Sequence, residues 1–117
     1  MLRLRVYLSV AVAAGLVVLH LCVLYWPVVT VQGPVSWSDK VVHVLVFALP
    51  AFAVGWVWRR IWLTAMIFGA HAVVSELVQA LLLPGRSGDP WDTAADLIGV
   101  GVAVVALLVV RRRAQHW

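Results

Sequence analysis

Four long runs of apolar residues, each with few polar interruptions, make up most of this chain. A helix that crosses about 30 Å of hydrocarbon needs about 20 apolar residues. The pattern therefore predicts four transmembrane helices, at about residues 5–26, 39–58, 61–83 and 90–111. We expect an all-α, polytopic membrane protein, a four-transmembrane-helix bundle that forms one domain over residues 1–117.

The composition excludes most other classes of protein. Hydrophobic residues make up 64% of the chain and charged residues 12%, whereas a soluble domain carries about 25% charged residues. The formal net charge of +4 does not indicate nucleic-acid binding, because the basic residues stand at the ends of the apolar runs. The first run is longer than the apolar region of a signal peptide, so we interpret it as a retained helix.

Lysine and arginine are distributed unevenly between the two sides of the predicted bundle. One side carries seven arginines, and the other carries only Lys40 and Arg86. Because positive residues accumulate in cytoplasmic loops, we expect both termini in the cytoplasm and the protein in the cell membrane. The seven are Arg3, Arg5, Arg59, Arg60, Arg111, Arg112 and Arg113.

Polar side chains gather toward the predicted outer ends of helices two, three and four. At about 1.5 Å per residue, three helices place such groups at similar depth. Ionisable groups in hydrocarbon normally turn inward and find partners, so these residues are expected to converge in a polar cleft open to the outside. The cleft would contain Asp39, Lys40, His43, Glu76, Gln79, Arg86, Asp89, Asp92 and Asp96.

Several of these polar residues also have purely structural explanations. His43 and Gln79 fit interhelical hydrogen bonding, and Glu76 fits a protonated carboxyl or a bond to His43 or Lys40. His20 and His71 are expected to have structural roles. His71 is expected to form a hydrogen bond with Ser75 or with a neighbouring helix. Gly99 and Gly101 are expected to allow close helix contact, and Pro50 deprives the Val46 carbonyl of its helical donor. No spacing supports a metal site or a cofactor.

The order of these residues resembles the VanZ-like family of small bacterial membrane proteins. Asp39, Lys40, His43 and Phe47 are similar to its Asp-Lys-x-x-His-x-x-x-Phe signature. Glu76 and Gln79, then Gly85-Arg86, then Asp92 through Gly99, are similar to its Glu-x-x-Gln, Gly-Arg and Asp-x-x-x-Asn-x-x-Gly run. Asp96 stands where the family usually has Asn. The resemblance implies a cell-envelope role linked to teicoplanin tolerance, with His43, Glu76, Gln79, Arg86, Asp92 and Asp96 as the important residues.

Three functions remain open at this point. The cleft would bind an anionic lipid headgroup or a lipid-linked precursor through Lys40 and Arg86. Alternatively, His43 and Glu76 would form the catalytic acid–base pair of an enzyme that acts on a phospho- or glycolipid. A third possibility is a proton-coupled translocator. In each case the expected partners are membrane lipids, with a homo-oligomer possible and no nucleic acid.

Overall fold

The computed structural model describes residues 1–26, 38–83 and 89–116. Four α-helices account for nearly all of them: α1 (Leu2–Tyr25), α2 (Ser38–Trp58), α3 (Ile61–Leu82) and α4 (Pro90–Gln115). All four are long and apolar enough to cross a membrane, and the described part of the chain contains no strand. The prediction of an all-α bundle of four transmembrane helices is thereby confirmed, and the chain is a multi-pass membrane protein.

The helix ends differ from the predicted ones mainly where arginines stand. Helix α1 begins at Leu2 rather than about residue 5, and α4 continues to Gln115 rather than about residue 111. Arginine is a good helix former, and its long side chain can reach the headgroups while its backbone stays helical. Helix length therefore exceeds the apolar span at both chain ends.

The centre of the bundle is the contact between α2 and α4, which run parallel. His43 contacts Asp96 near the start of both helices, and Gly55 lies against Leu107 near their ends. Between these contacts, a Cβ on Gly99 would collide with the carbonyl oxygen of Val44. Glycine at this position therefore lets the two backbones touch and fixes their register. The expected role of Gly99 is found, whereas no atom lies within 4 Å of a Cβ built on Gly101.

Helices α1 and α3 run in the opposite direction to this central pair. Helix α3 contacts α4 and α2, while α1 contacts only α2 and α3 within the described residues and is the most exposed helix. Both termini consequently lie at one end of the bundle. We call it the arginine end, because all seven arginines of the first group stand there. The opposite end holds all five acidic residues of the chain and is called the acidic end.

The core of the bundle is made of small and aromatic residues. Phe47, Ala51, Ala72 and Ala103 are buried at the junction of the helices, and the alanines allow close approach of the backbones. Large apolar side chains cover the outside, including Val105, which is 61% exposed. In water such a surface would be a severe liability, and in a bilayer it is the expected lipid-facing surface.

Candidate functional site

Lys40, in the first turn of α2, is the centre of an ion-pair network at the acidic end. Its Nζ donates to Oδ2 of Asp39 at 2.8 Å, to Oδ2 of Asp89 at 3.0 Å and to Oδ1 of Asp92 at 2.5 Å. An ammonium group has three N–H donors, so all three are used. Lys40 therefore ties the start of α2 to the start of α4, and an anion would have to compete with three carboxylates for it.

Asp89 is the N-cap of α4 and lies outside the membrane-spanning helices. Its carboxylate accepts a hydrogen bond from the backbone N–H of Trp91, and Pro90 occupies the first helical position. Both features are typical of helix starts. Two hydrogen bonds hold the pKa of the Asp89 carboxyl below its ordinary value, because both favour the charged form. The bond from Trp91 has the larger effect and the bond from Lys40 the smaller.

His43 and Asp96 form a second polar contact between α2 and α4, one helical turn deeper than that of Lys40 with Asp92. His43 Nδ1 lies 2.7 Å from Oδ1 of Asp96, and its Nε2 lies 3.6 Å from Oδ2 of Asp92. The Asp96 side chain is buried with 1% exposed, whereas that of His43 is 17% exposed. The carboxylate thus orients the ring from the inside, while the other edge of the ring faces the acidic end.

Glu76, one helix over on α3, joins the same region through the backbone. Its Oε1 accepts the N–H of Asp89 at 2.5 Å. Neither His43 nor Lys40 is among its hydrogen-bond partners in the described residues, so of the two structural explanations for Glu76, a bond to His43 or Lys40 is not found and a protonated carboxyl stays open. Oε2 of Glu76 and Oδ2 of Asp96 are both buried and without a hydrogen-bond partner in the described structure.

These contacts link seven residues into one network, which we call the acidic cluster. Five carboxyl groups face one lysine and one histidine, so the described members of the cluster include more acidic than basic side chains. Buried carboxylate oxygens without a partner are costly, and this favours occupation of the cluster by protons or by a ligand that donates hydrogen bonds. The members are Asp39, Lys40, His43, Glu76, Asp89, Asp92 and Asp96.

One of the residues predicted for the cleft, Gln79, is not in the cluster. Gln79 is buried and donates from Nε2 to the carbonyl oxygen of Leu24 at 2.7 Å. That carbonyl is in the last turn of α1, where helical donors are missing. Gln79 therefore connects α3 to α1, as its structural interpretation anticipated. Arg86 lies outside the described residues.

A second hydrogen-bonded network crosses the bundle between α1, α3 and α2. His20 Nδ1 donates to the carbonyl oxygen of Val46 at 2.8 Å, and its Nε2 lies 3.0 Å from Nδ1 of His71. The hydroxyl of Tyr25 lies 2.6 Å from Nε2 of His71. With both rings neutral, one arrangement satisfies every atom. Tyr25 donates to His71, His71 donates through Nδ1 to His20, and His20 donates to Val46.

The sequence predicts structural roles for His20 and His71 but not this network. The expected partner of His71 is Ser75 or a neighbouring helix, whereas the structure shows His20 and Tyr25. The available signal was Pro50, which leaves the Val46 carbonyl without a donor. A histidine on another helix is a suitable replacement donor in a membrane.

Comparisons with protein-family models, with curated proteins and with solved structures found no match to this chain. The class of protein is therefore defined by its own structure: a multi-pass, all-α membrane protein with a polar network at one end. No group of three or more metal-ligating side chains is arranged to hold a metal ion in the described residues. The chemistry that the acidic cluster offers is proton exchange and hydrogen bonding.

Proposed function

We propose that this chain is a VanZ-like envelope protein whose acidic cluster binds the headgroup of a lipid or lipid-linked precursor. A residue of the cluster then transfers a proton to the leaving oxygen of that headgroup. His43 is the acid–base residue, and Asp96 is the positioning residue that holds it. The bond between His43 Nδ1 and Asp96 Oδ1 is the observation that carries this proposal.

The pair has the form that general acid–base catalysis requires. A buried carboxylate on one ring nitrogen selects the tautomer and stabilises the charged ring, which leaves the second nitrogen to exchange a proton. His43 Nε2 has no hydrogen-bond partner within 3.5 Å in the described residues, and the His43 side chain is 17% exposed. This geometry favours His43 over Glu76, because Glu76 is buried and bonded to the α4 N-terminus.

The chemistry of the surroundings supports a phospho- or glycolipid as the ligand. Phosphate would be attracted by Arg86 and Lys40, although Lys40 is already shared by three carboxylates. Sugar hydroxyl or ammonium groups would supply donors to an acidic cluster that has more acceptors than donors. In hydrolysis, water attacks and the headgroup ester bond breaks. The water proton then passes through Nε2 to the leaving oxygen.

Turnover by purified protein tests the proposal directly. The full chain in nanodiscs would be incubated with phosphatidylglycerol, phosphatidylethanolamine and polyprenyl-phosphate-linked sugar, with headgroup release followed by mass spectrometry. We expect release of one headgroup class. His43→Ala should slow it by about 100-fold or more, which is typical for loss of an acid–base residue. His116→Ala is the matched control, because His116 lies at the arginine end.

Headgroup binding without turnover is the second candidate function. The network around Lys40 favours it, because one ammonium and three carboxylate groups are held in fixed positions there. Native mass spectrometry with the same lipids separates the two. Saturable binding that is lost in Lys40→Gln, without product, would establish binding alone and remove the catalytic role of His43. Neither binding nor product with any of these lipids would overturn the proposed function.

A further inference from the structure

The arginine end has a charge that the protein itself does not neutralise. Seven arginines stand there, and all five Asp and Glu residues of the chain stand at or near the acidic end. Seven positive charges without a side-chain carboxylate in reach repel one another, and they attract anions from their surroundings. In a membrane protein the surroundings at this depth are the headgroups of one leaflet.

Part of this charge lines a groove of about 450 Å³ between the start of α3 and the end of α4. Arg59, Arg60 and Arg112 line it, together with the apolar side chains of Trp62 and Leu108. Guanidinium groups beside an apolar wall suit a phosphate with an attached acyl chain, since the phosphate pairs with Arg. The tryptophan ring stands at the level that tryptophan prefers in membranes.

The backbone around the groove is fixed by Arg111. Its Nη1 donates to the carbonyl oxygen of Arg59 at 3.0 Å, and its Nη2 donates to that of Gly55 at 3.1 Å. Arg59 has a positive φ of 62°, which is uncommon for a residue with a side chain and makes the sharp turn from α2 into α3. Arg111 is thus occupied in holding this turn rather than in receiving a ligand.

The guanidinium groups of two other arginines that line the groove are available to a ligand. In the described parts of the chain, the guanidinium groups of Arg60 and Arg112 have neither an ion pair nor a hydrogen bond. Helix α3 begins after Arg60 without a side-chain cap, and its first turn, which includes Trp62, lines the groove. The partial positive charge of a helix start adds to that of the arginines.

We propose that this groove is a binding site for an anionic phospholipid of the leaflet at the arginine end. The phosphate lies between Arg60 and Arg112, and an acyl chain follows Trp62 and Leu108. The site is separate from the acidic cluster, at the other end of the bundle. Arginines that act only as topology signals need no such site, because they set orientation by their number and position.

The test measures lipid retention by the full chain in micelles of a neutral detergent. Native mass spectrometry would follow titration with phosphatidylglycerol and with phosphatidylcholine of identical acyl chains. We expect saturable one-to-one binding that is roughly tenfold tighter for phosphatidylglycerol, since its phosphate charge is uncompensated, whereas the choline ammonium of phosphatidylcholine cancels it and repels the arginines. The double variant Arg60→Gln with Arg112→Gln should lose that preference. Circular dichroism would verify that its helices remain.

The matched control is Arg3→Gln with Arg113→Gln. It removes the same charge from the same end of the bundle without changing the groove, so the preference should remain. Equal loss in both double variants would show a diffuse electrostatic attraction and overturn the proposed site. Titration with inorganic phosphate is the second arm. Displacement of the lipid by phosphate at comparable concentration would overturn the lipid as ligand, because it would show that the acyl chain contributes nothing.

Discussion

His20 donates a hydrogen bond to the carbonyl oxygen of Val46, the carbonyl that Pro50 deprives of its helical donor. The donor is on α1 and the proline is on α2, so an interruption in one helix is compensated by the neighbouring one. Unsatisfied backbone groups are expensive inside a membrane. This bond is therefore a reason for α1, which is otherwise the most exposed helix, to pack where it does.

The compensation predicts an interaction between His20 and Pro50. His20→Phe should destabilise the protein by about 1 kcal/mol, the usual value of an interhelical hydrogen bond in a membrane. With Pro50→Ala, the new N–H at position 50 can donate to Val46, and His20→Phe should then cost less, because only the loss of the bond with His71 remains. Reversible unfolding of the four proteins in mixed micelles would measure the coupling. Strictly additive effects would contradict the compensation.

The tautomers of the histidines provide a second prediction. The bonds to Val46 and from Tyr25 require neutral His20 and His71 to carry their protons on Nδ1. Long-range ¹H–¹⁵N correlation spectra of histidine-labelled protein in micelles should show Nδ1–H for both His20 and His71, besides that of His43. Tyr25→Phe should leave both tautomers unchanged, since His20 Nε2 still accepts from His71, whereas His20→Phe should return His71 to a tautomer mixture. An Nε2–H signal from His71 in the wild-type protein would show that the hydrogen bonds run the other way.

The membrane-spanning helices could be predicted from the sequence because a helix must reach across the bilayer. The run of apolar residues that this requires is visible in the hydropathy of the chain. The number and type of helices were found in this way, and so was the gathering of polar groups at one end. Depth along each helix follows from residue count alone. That is why His43 and Asp96, on different helices, could be placed at similar levels before any contact was known.

The partner of each polar side chain could not be predicted in the same way. Glu76 and Gln79 are three residues apart, which separates them by about 60° around α3. The structure turns one toward α4 and the other toward α1. Such a difference depends on how α3 is rotated between its neighbours, and on a register set by backbone contacts such as that of Gly99 with Val44. Neither the rotation of α3 nor this register can be predicted from the spacing of residues along the sequence.

That backbone contact gives a third prediction. Gly99→Ala would place a methyl group on the Val44 carbonyl and 3.1 Å from Cβ of Phe47. We expect a destabilisation of about 1–3 kcal/mol, the usual cost of forcing extra volume into a packed contact. Gly101→Ala is the control, since nothing lies within 4 Å of that position. Thermal unfolding in detergent would compare them. Equal effects would contradict the contact.

Asp89 predicts how stability depends on pH. Its pKa is lowered in the folded protein by the bonds from Trp91 and Lys40. A lowered carboxyl pKa stabilises the fold above the unfolded value of about 3.9, and this stabilisation is lost as pH falls through the folded pKa. Asp89→Asn should therefore lower Tm at pH 7, and the difference from wild type should disappear in acid. A difference that persists unchanged at low pH would exclude a charge effect.

Asp96→Asn supplies the strictest test of the proposed acid–base pair, because it changes charge while nearly preserving shape. Asn can still accept a hydrogen bond from His43, but it cannot stabilise a charged ring. We expect the variant to fold, to bind the headgroup as wild type does, and to lose turnover by about 100-fold or more. Wild-type turnover would mean that Asp96 has no part in proton transfer, whereas loss of folding in both Asp96→Asn and Asp96→Ala would make its role structural.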